Sequence, residues 1–145
     1  MKLISLVLFS ILIPSLSIGQ NVNFYNNNDG VAIKGFDPVA YFQENKAVEG
    51  NNTIYYKWSG SIWKFTSEEN LEKFKKQPER YAPQYGGFCA YGASENHLSP
   101  TDPEAFTIVD NKLYLNYSKK VKELWIKNTE QRILKANEYW LTLKK

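Results

Sequence analysis

Two stretches limit the fold of this chain more than any other feature. Thr53 to Trp58 and Ile62 to Thr66 are rich in β-branched and aromatic residues, with Ser59-Gly60 between them and Ser61 as an alternative turn residue. Phe106-Thr107-Ile108-Val109 and Lys112 to Asn116 flank Asp110-Asn111 in the same way. Two such runs on either side of a two-residue turn predict an antiparallel β-hairpin. A serine follows each pair. Ser67 is placed to cap a helix through about Lys76, and Ser118 to cap another. Glu68 and Glu69 stand at the positive end of the first helix and Lys73, Lys75 and Lys76 near its negative end, as the helix dipole favours. Hairpin, helix, loop, hairpin, helix is an α+β pattern, not the parallel sheet of a nucleotide-binding fold. No internal repeat is visible.

The remaining segments fill in around that frame. In Gly35-Phe36-Asp37-Pro38-Val39-Ala40-Tyr41-Phe42 a turn leads into a short helix, with Asp37 as its cap and Pro38 at the first helical position. Leu71, Phe74 and Tyr81 are expected to pack inward, and Pro78 to stop the helix before it. Gln84 to Thr101 reads as irregular. Asp102-Pro103-Glu104 repeats the cap-plus-proline arrangement and predicts one helical turn. Val121, Leu124 and Trp125 recur at helical spacing, lose phase near Asn128-Thr129, and resume with Ile133, Leu134, Trp140 and Leu141. A break is predicted there, with Thr129 as the cap of the second segment.

The N-terminus reads as an export signal. Met1-Lys2 is a basic start, Leu3 to Ile13 is apolar apart from Ser5 and Ser10, and Ser17-Ile18-Gly19 offers a cleavage site. The apolar run is shorter than the roughly 20 residues of a membrane span. Removing 19 of the 145 residues leaves 126, to be found in the periplasm or secreted. Asparagine-rich residues 20–30 read as a flexible arm, and residues 31–145 as one domain. The cut removes Lys2 and lowers the net charge from +3 to +2, with acids and bases interleaved, so nucleic acid is not an expected partner. A single cysteine, Cys89, permits no internal disulfide. Aromatic residues make up 15% of the chain, which points to a core or groove built from rings.

Several motifs taken together resemble the exported YHS-domain proteins. They are Gly35 to Phe42, Trp63-Lys64-Phe65-Thr66-Ser67, Phe74 to Tyr81, Tyr85-Gly86-Gly87-Phe88-Cys89-Ala90-Tyr91 and Leu113-Tyr114-Leu115-Asn116-Tyr117. The match runs from about Gly30 to the C-terminus. The resemblance implies the YHS fold and a metal-handling theme. In those relatives a cysteine follows Asp-Pro-Val and others follow the first hairpin. Here Ala40, Thr66 and Asn70 stand at those positions, so the thiol cluster and its metal site do not carry over. The exported branch has its own glycine-glycine-aromatic-cysteine motif, which includes selenocysteine at the cysteine. That resemblance points at Cys89 as a chemically active group.

Cys89 is therefore the first candidate site residue, either a packed small hydrophobe or a redox thiol. Tyr85, Gly86, Gly87 and Tyr91 would form the walls of its pocket. His97, the only histidine, lies in the same irregular segment. Sulfur plus imidazole suits copper or zinc, so Cys89 and His97 form the candidate metal pair, though two ligands do not complete a site. A Cys-His nucleophile oriented by Asp102 has the same sequence signature. Glu68-Glu69 and Asp102-Glu104 are read as helix caps, not acid-base pairs. Tyr55, Tyr56, Trp58 and Trp63 either line a groove or divide between core and sheet surface. The chain is thus expected to bind a soft metal or carry out thiol redox chemistry. The alternative is a non-catalytic module with an aromatic groove for a small apolar ligand or a partner protein. Asn51-Asn52-Thr53 and Asn116-Tyr117-Ser118 fit the glycosylation sequon.

Overall fold

The structure, a computed structural model, describes residues 25–145. The predicted export signal and the start of the arm lie outside the described residues. The fold is α+β, as the hairpin-and-helix pattern requires. Strands β1 (Asn27–Asn28), β2 (Val31–Ala32), β3 (Asn51–Trp58) and β4 (Ser61–Phe65) form one sheet in the order β1-β2-β4-β3. Only the β2–β4 contact is parallel, with Val31 beside Ile62. Strands β5 (Asp102–Val109) and β6 (Lys112–Asn116) form a separate antiparallel pair. The longer helices are α2 (Glu68–Lys76), α5 (Lys119–Ile126) and α6 (Thr129–Leu143). Short ones are α1 (Ala40–Gln43), α3 (Pro78–Tyr81) and α4 (Ala90–Ser94).

Both hairpins turn where expected. Ser59 and Gly60 have φ of 52° and 74°, and Asp110 and Asn111 have 49° and 58°. Left-handed backbone at both central positions matches the twist of the strands. Ser67 accepts the N–H of Asn70 at 3.1 Å and Ser118 that of Val121 at 3.2 Å, so both predicted caps are made.

Three expectations are corrected. Asp102-Pro103-Glu104 opens β5 instead of forming a helical turn. Asp102 still accepts the N–H of Glu104 at 2.9 Å, but Asp102 pairs with Asn116. The residue before a proline is steered toward extended backbone, and the hairpin takes it up. The segment from Gln84 to Thr101 is less irregular than its composition suggests, since it holds a 3-10 turn at Gln84–Gly87 and helix α4. Thr129 does not cap α6; its hydroxyl donates back to the carbonyls of Trp125 and Ile126, which close the preceding helix. Residues 25–30 are tied to the domain: Tyr25 packs on Trp58 and Trp63, and Asn26 donates its N–H to the Gly86 carbonyl at 2.5 Å.

The structure also reveals a repeat that the residue identities hide. Ile33, Lys34 and Gly35 are all left-handed, and so are Tyr85, Gly86 and Gly87, 52 residues later. Phe36 closes its turn on the Ile33 carbonyl at 3.0 Å, and Phe88 on that of Tyr85 at 3.0 Å. The N–H of Asp37 reaches Val48, and that of Cys89 reaches Ser99. Strands β3 and β5 have 8 residues each, β4 and β6 have 5 each, and both pairs carry the same register shift. A serine-capped helix then follows in each half. The chain is a tandem of two similar units, with α3 between them and α6 after them.

The two units share a core across β6. Leu113 and Leu115 join Trp63, Phe65, Phe74 and Tyr41 in the larger core. Tyr114, on the opposite face, joins Tyr85, Trp125 and Ala136 in the smaller one. Strand β6 is thus buried on both faces, whereas β4 alternates between buried and half-buried. Each large ring so buried stabilises the fold by about 2–3 kcal/mol.

Candidate functional site

Cys89 sits where the 3-10 turn meets α4. The left-handed Gly86 and Gly87, with φ of 59° and 75°, swing the chain so that the cysteine begins the helix. A side chain on Gly87 would press on Pro83, its Cβ only 3.3 Å from Cγ. The Gly87 carbonyl is fixed by the Thr101 hydroxyl at 2.9 Å and by the Asn26 amide at 3.3 Å. Cys89 itself is 2% exposed. Its sulfur accepts backbone N–H groups from Gly92 at 3.4 Å and Tyr117 at 3.3 Å.

Asn116 completes the surroundings of the sulfur. It is 0% exposed. Its Oδ1 accepts the N–H of Tyr91 at 3.1 Å and lies 3.6 Å from Cys89 Sγ, where the thiol can donate. Among the described residues its buried Nδ2 has no hydrogen-bond partner. The Tyr91 N–H fixes which end of the amide faces the helix, because the opposite assignment would set donor against donor. Sequence reasoning missed Asn116 as a site residue. The available signal was an asparagine at the same strand face as Tyr114, where a core residue is the norm. Its burial also removes Asn116 from consideration as a glycosylation acceptor in the folded protein.

The other expected residues are placed as follows. Tyr85 is a member of the smaller core, beside Tyr114 and Trp140, and its hydroxyl hydrogen-bonds Asn137 Oδ1 at 3.0 Å. Burial, and then Tyr114, push that hydroxyl well above its ordinary range. Tyr91 lies under the Arg132 guanidinium, 3.8 Å from its ring centre. Arg132 is in turn held by Ser94 and Glu95, both at 2.9 Å. The two tyrosines therefore bind the Cys89 loop to α6. His97 is exposed, and its Nε2 would be 3.2 Å from a Cβ at Gly92, so the ring lies close over the glycine whose N–H serves the sulfur. Among the described residues the hydrogen-bond partners of the sulfur are Gly92, Tyr117 and Asn116, not His97. Among the described residues no three His, Cys, Asp or Glu side chains come together as a metal site would require. Trp63 is in the core against Trp58 and Phe74, Tyr56 lies beneath Lys75, and Tyr55 faces solvent. Among the described residues no helix is long and apolar enough to cross a membrane.

Compared with known proteins, the chain matches no protein family, no curated protein and no solved structure.

Proposed function

We propose that this chain is an exported YHS-type module whose function is thiol redox chemistry at Cys89. One observation carries the reading: two backbone N–H groups converge on the sulfur from Gly92 and Tyr117. Such donors stabilise a thiolate, which is the reactive form. The soft-metal version of the reading has less support, because copper or zinc would need ligands beyond Cys89 and His97. The test is the rate of alkylation of native, reduced, metal-free protein by iodoacetamide as pH is varied. The reading expects Cys89 to be alkylated in the folded protein. Labelling only after unfolding would remove it.

A second reading is a non-catalytic binding module in which Cys89 is a packed acceptor. Its 2% exposure and its correspondence with Asp37 favour this. A small apolar ligand would then go to the open depression of about 480 Å³ beside the first hairpin turn, lined by Gly30, Trp58, Gly60 and Ile62 among others. Trp58→Ala should then abolish copurification of an apolar ligand that Cys89→Ala leaves intact.

A further inference from the structure

We propose that the outward face of α6 is a self-association surface, on which Leu134 and Leu141 pack against Leu141 and Leu134 of a second, antiparallel copy of this chain. The proposal goes beyond the reading of Cys89 and does not depend on it.

Helix α6 carries apolar side chains on two sides. Ile133, Ala136 and Trp140 belong to the smaller core. Leu134 and Leu141 do not. They are 64% and 59% exposed, the highest values of any large apolar side chain among the described residues. Position 141 follows 134 by seven residues, close to two helical turns, so both leucines project along one line, roughly 150° round the axis from Ala136. Exposed leucines scattered singly need no explanation. Two in line at the spacing of a helix–helix seam do.

The charges on this face decide what covers it. Glu130 lies in the first turn of α6 and Glu138 between the leucines, while Lys144 and Lys145 follow the end of the helix. All four are exposed. Acids and bases balance, so a second copy meets no net repulsion. A face that is acidic at its start and basic at its end is complementary to itself when reversed. With Leu134 set opposite Leu141 of the second copy, Glu130 falls opposite Lys145 and Gln131 opposite Lys144. Asn137 falls opposite Glu138 beside the two-fold axis, which repeats every contact. Parallel pairing would set Glu130 on Glu130 and Lys145 on Lys145. The helix dipole accounts for the end charges within one chain but not for the leucines. The contact is built on two leucines per copy, so it is small and the dimer is a weak one.

The experiment is sedimentation equilibrium of the full-length mature protein from micromolar to millimolar concentration, with a reductant present to exclude a Cys89 disulfide dimer. Wild type should pass from monomer to dimer. Leu134→Lys and Leu141→Lys should each stay monomeric. Both side chains are exposed in the single chain, so these variants should fold, which circular dichroism checks. Glu130→Lys and Lys145→Glu should each weaken the dimer roughly tenfold, because both symmetry-related pairs become repulsive. The double variant Glu130→Lys/Lys145→Glu should recover wild-type association. Recovery is specific to antiparallel pairing, since a parallel pair would still set like charges together. A wild type that stays monomeric throughout overturns the proposal. If that monomer binds phosphatidylglycerol vesicles and Leu134→Lys releases it, the face belongs to a lipid surface instead. A dimer indifferent to Leu134→Lys lies on another face and overturns the proposal as well. So does a double variant that associates no more tightly than the single ones.

Discussion

Asp37 and Cys89 occupy corresponding points in the two units, and the backbone around them is nearly the same, yet their side chains are satisfied in different ways. The Asp37 carboxylate accepts five hydrogen bonds, from the N–H groups of Val39, Ala40 and Thr66, the Thr66 hydroxyl and the Asn70 amide. It ties the start of α1 to the end of the first hairpin and to α2. Cys89 makes the same two backbone ties, to the helix through Gly92 and to the hairpin end through Tyr117. Tyr117 and Val121 stand where the first unit has Thr66 and Asn70, so the side-chain donors are gone. A full charge can be buried only when its lone pairs are met by donors, which is why the aspartate brings a threonine and an asparagine with it. A sulfur needs less. The first unit closes its node with a carboxylate; the second keeps the geometry with a sulfur.

That contrast can be broken most sharply by exchanging the two acceptors. Cys89→Asp buries a carboxylate with two backbone donors instead of five bonds and should destabilise by about 3 kcal/mol or more. Asp37→Ala removes the acceptor of the buried Val39 and Ala40 N–H groups and of the Thr66 and Asn70 donors and should cost a similar ~3 kcal/mol. Both are read by denaturant unfolding. If Cys89→Asp is neutral, the two nodes are interchangeable and the side-chain donors of Thr66 and Asn70 are not what lets the first unit bury a carboxylate. Cys89→Ala should cost only about 1 kcal/mol, since weak acceptor contacts and a small sulfur are lost.

The left-handed turn before each node offers a finer comparison. Lys34 holds φ at 51° where the second unit has Gly86 at 59°. A left-handed non-glycine residue is strained by about 1–2 kcal/mol. Glycine gives back part of that through its freer unfolded chain. Lys34 is exposed and Gly86 is buried, so Lys34→Gly should raise stability by up to ~1 kcal/mol, whereas Gly86→Lys should lower it by more than that, burial of the lysine adding to the strain. An unfolding midpoint unmoved by Lys34→Gly would mean that the left-handed turn carries no strain.

The smallest effect, just above pH 10, is electrostatic. Burial, with Glu79 adding, pushes the Tyr25 hydroxyl from 10 up to about 12. In the unfolded chain Tyr25 ionises first, so the native state holds more protons between those values. Stability is then complete below pH 10 and falls as pH rises toward 12. Tyr25→Phe should reduce that slope, to which the raised Tyr41, Tyr85 and Tyr114 also contribute. An unchanged slope would mean that Tyr25 is not packed on Trp58 and Trp63.

Much of the framework could be read locally. Ser59-Gly60 and Asp110-Asn111 name their turns because few residues tolerate two successive left-handed positions. Ser67 and Ser118 name the helix starts because a side-chain oxygen there meets an otherwise unpaired N–H. Asp102 misled because its cap chemistry is the same in a strand that bulges as in a helix that begins. Thr129 misled because a threonine hydroxyl can donate backward to one helix as readily as it can accept at the start of the next. Cys89 stood out by being alone, but the asparagine that faces it did not, since their contact spans 27 positions of chain.

By itself the sequence determined the α+β class, the two hairpins, the serine caps and the candidate cysteine, because turns, caps and strand alternation depend on neighbours along the chain. Tertiary structure decided the rest. It placed β6 between two cores and so gave the second hairpin side chains unlike those of the first, which hid the repeat. It set Cys89 against Tyr117 and Asn116, and it set Asp37 as its counterpart. Backbone geometry repeats through hydrogen bonds that ignore residue identity, while burial selects each side chain by what lies opposite it in space.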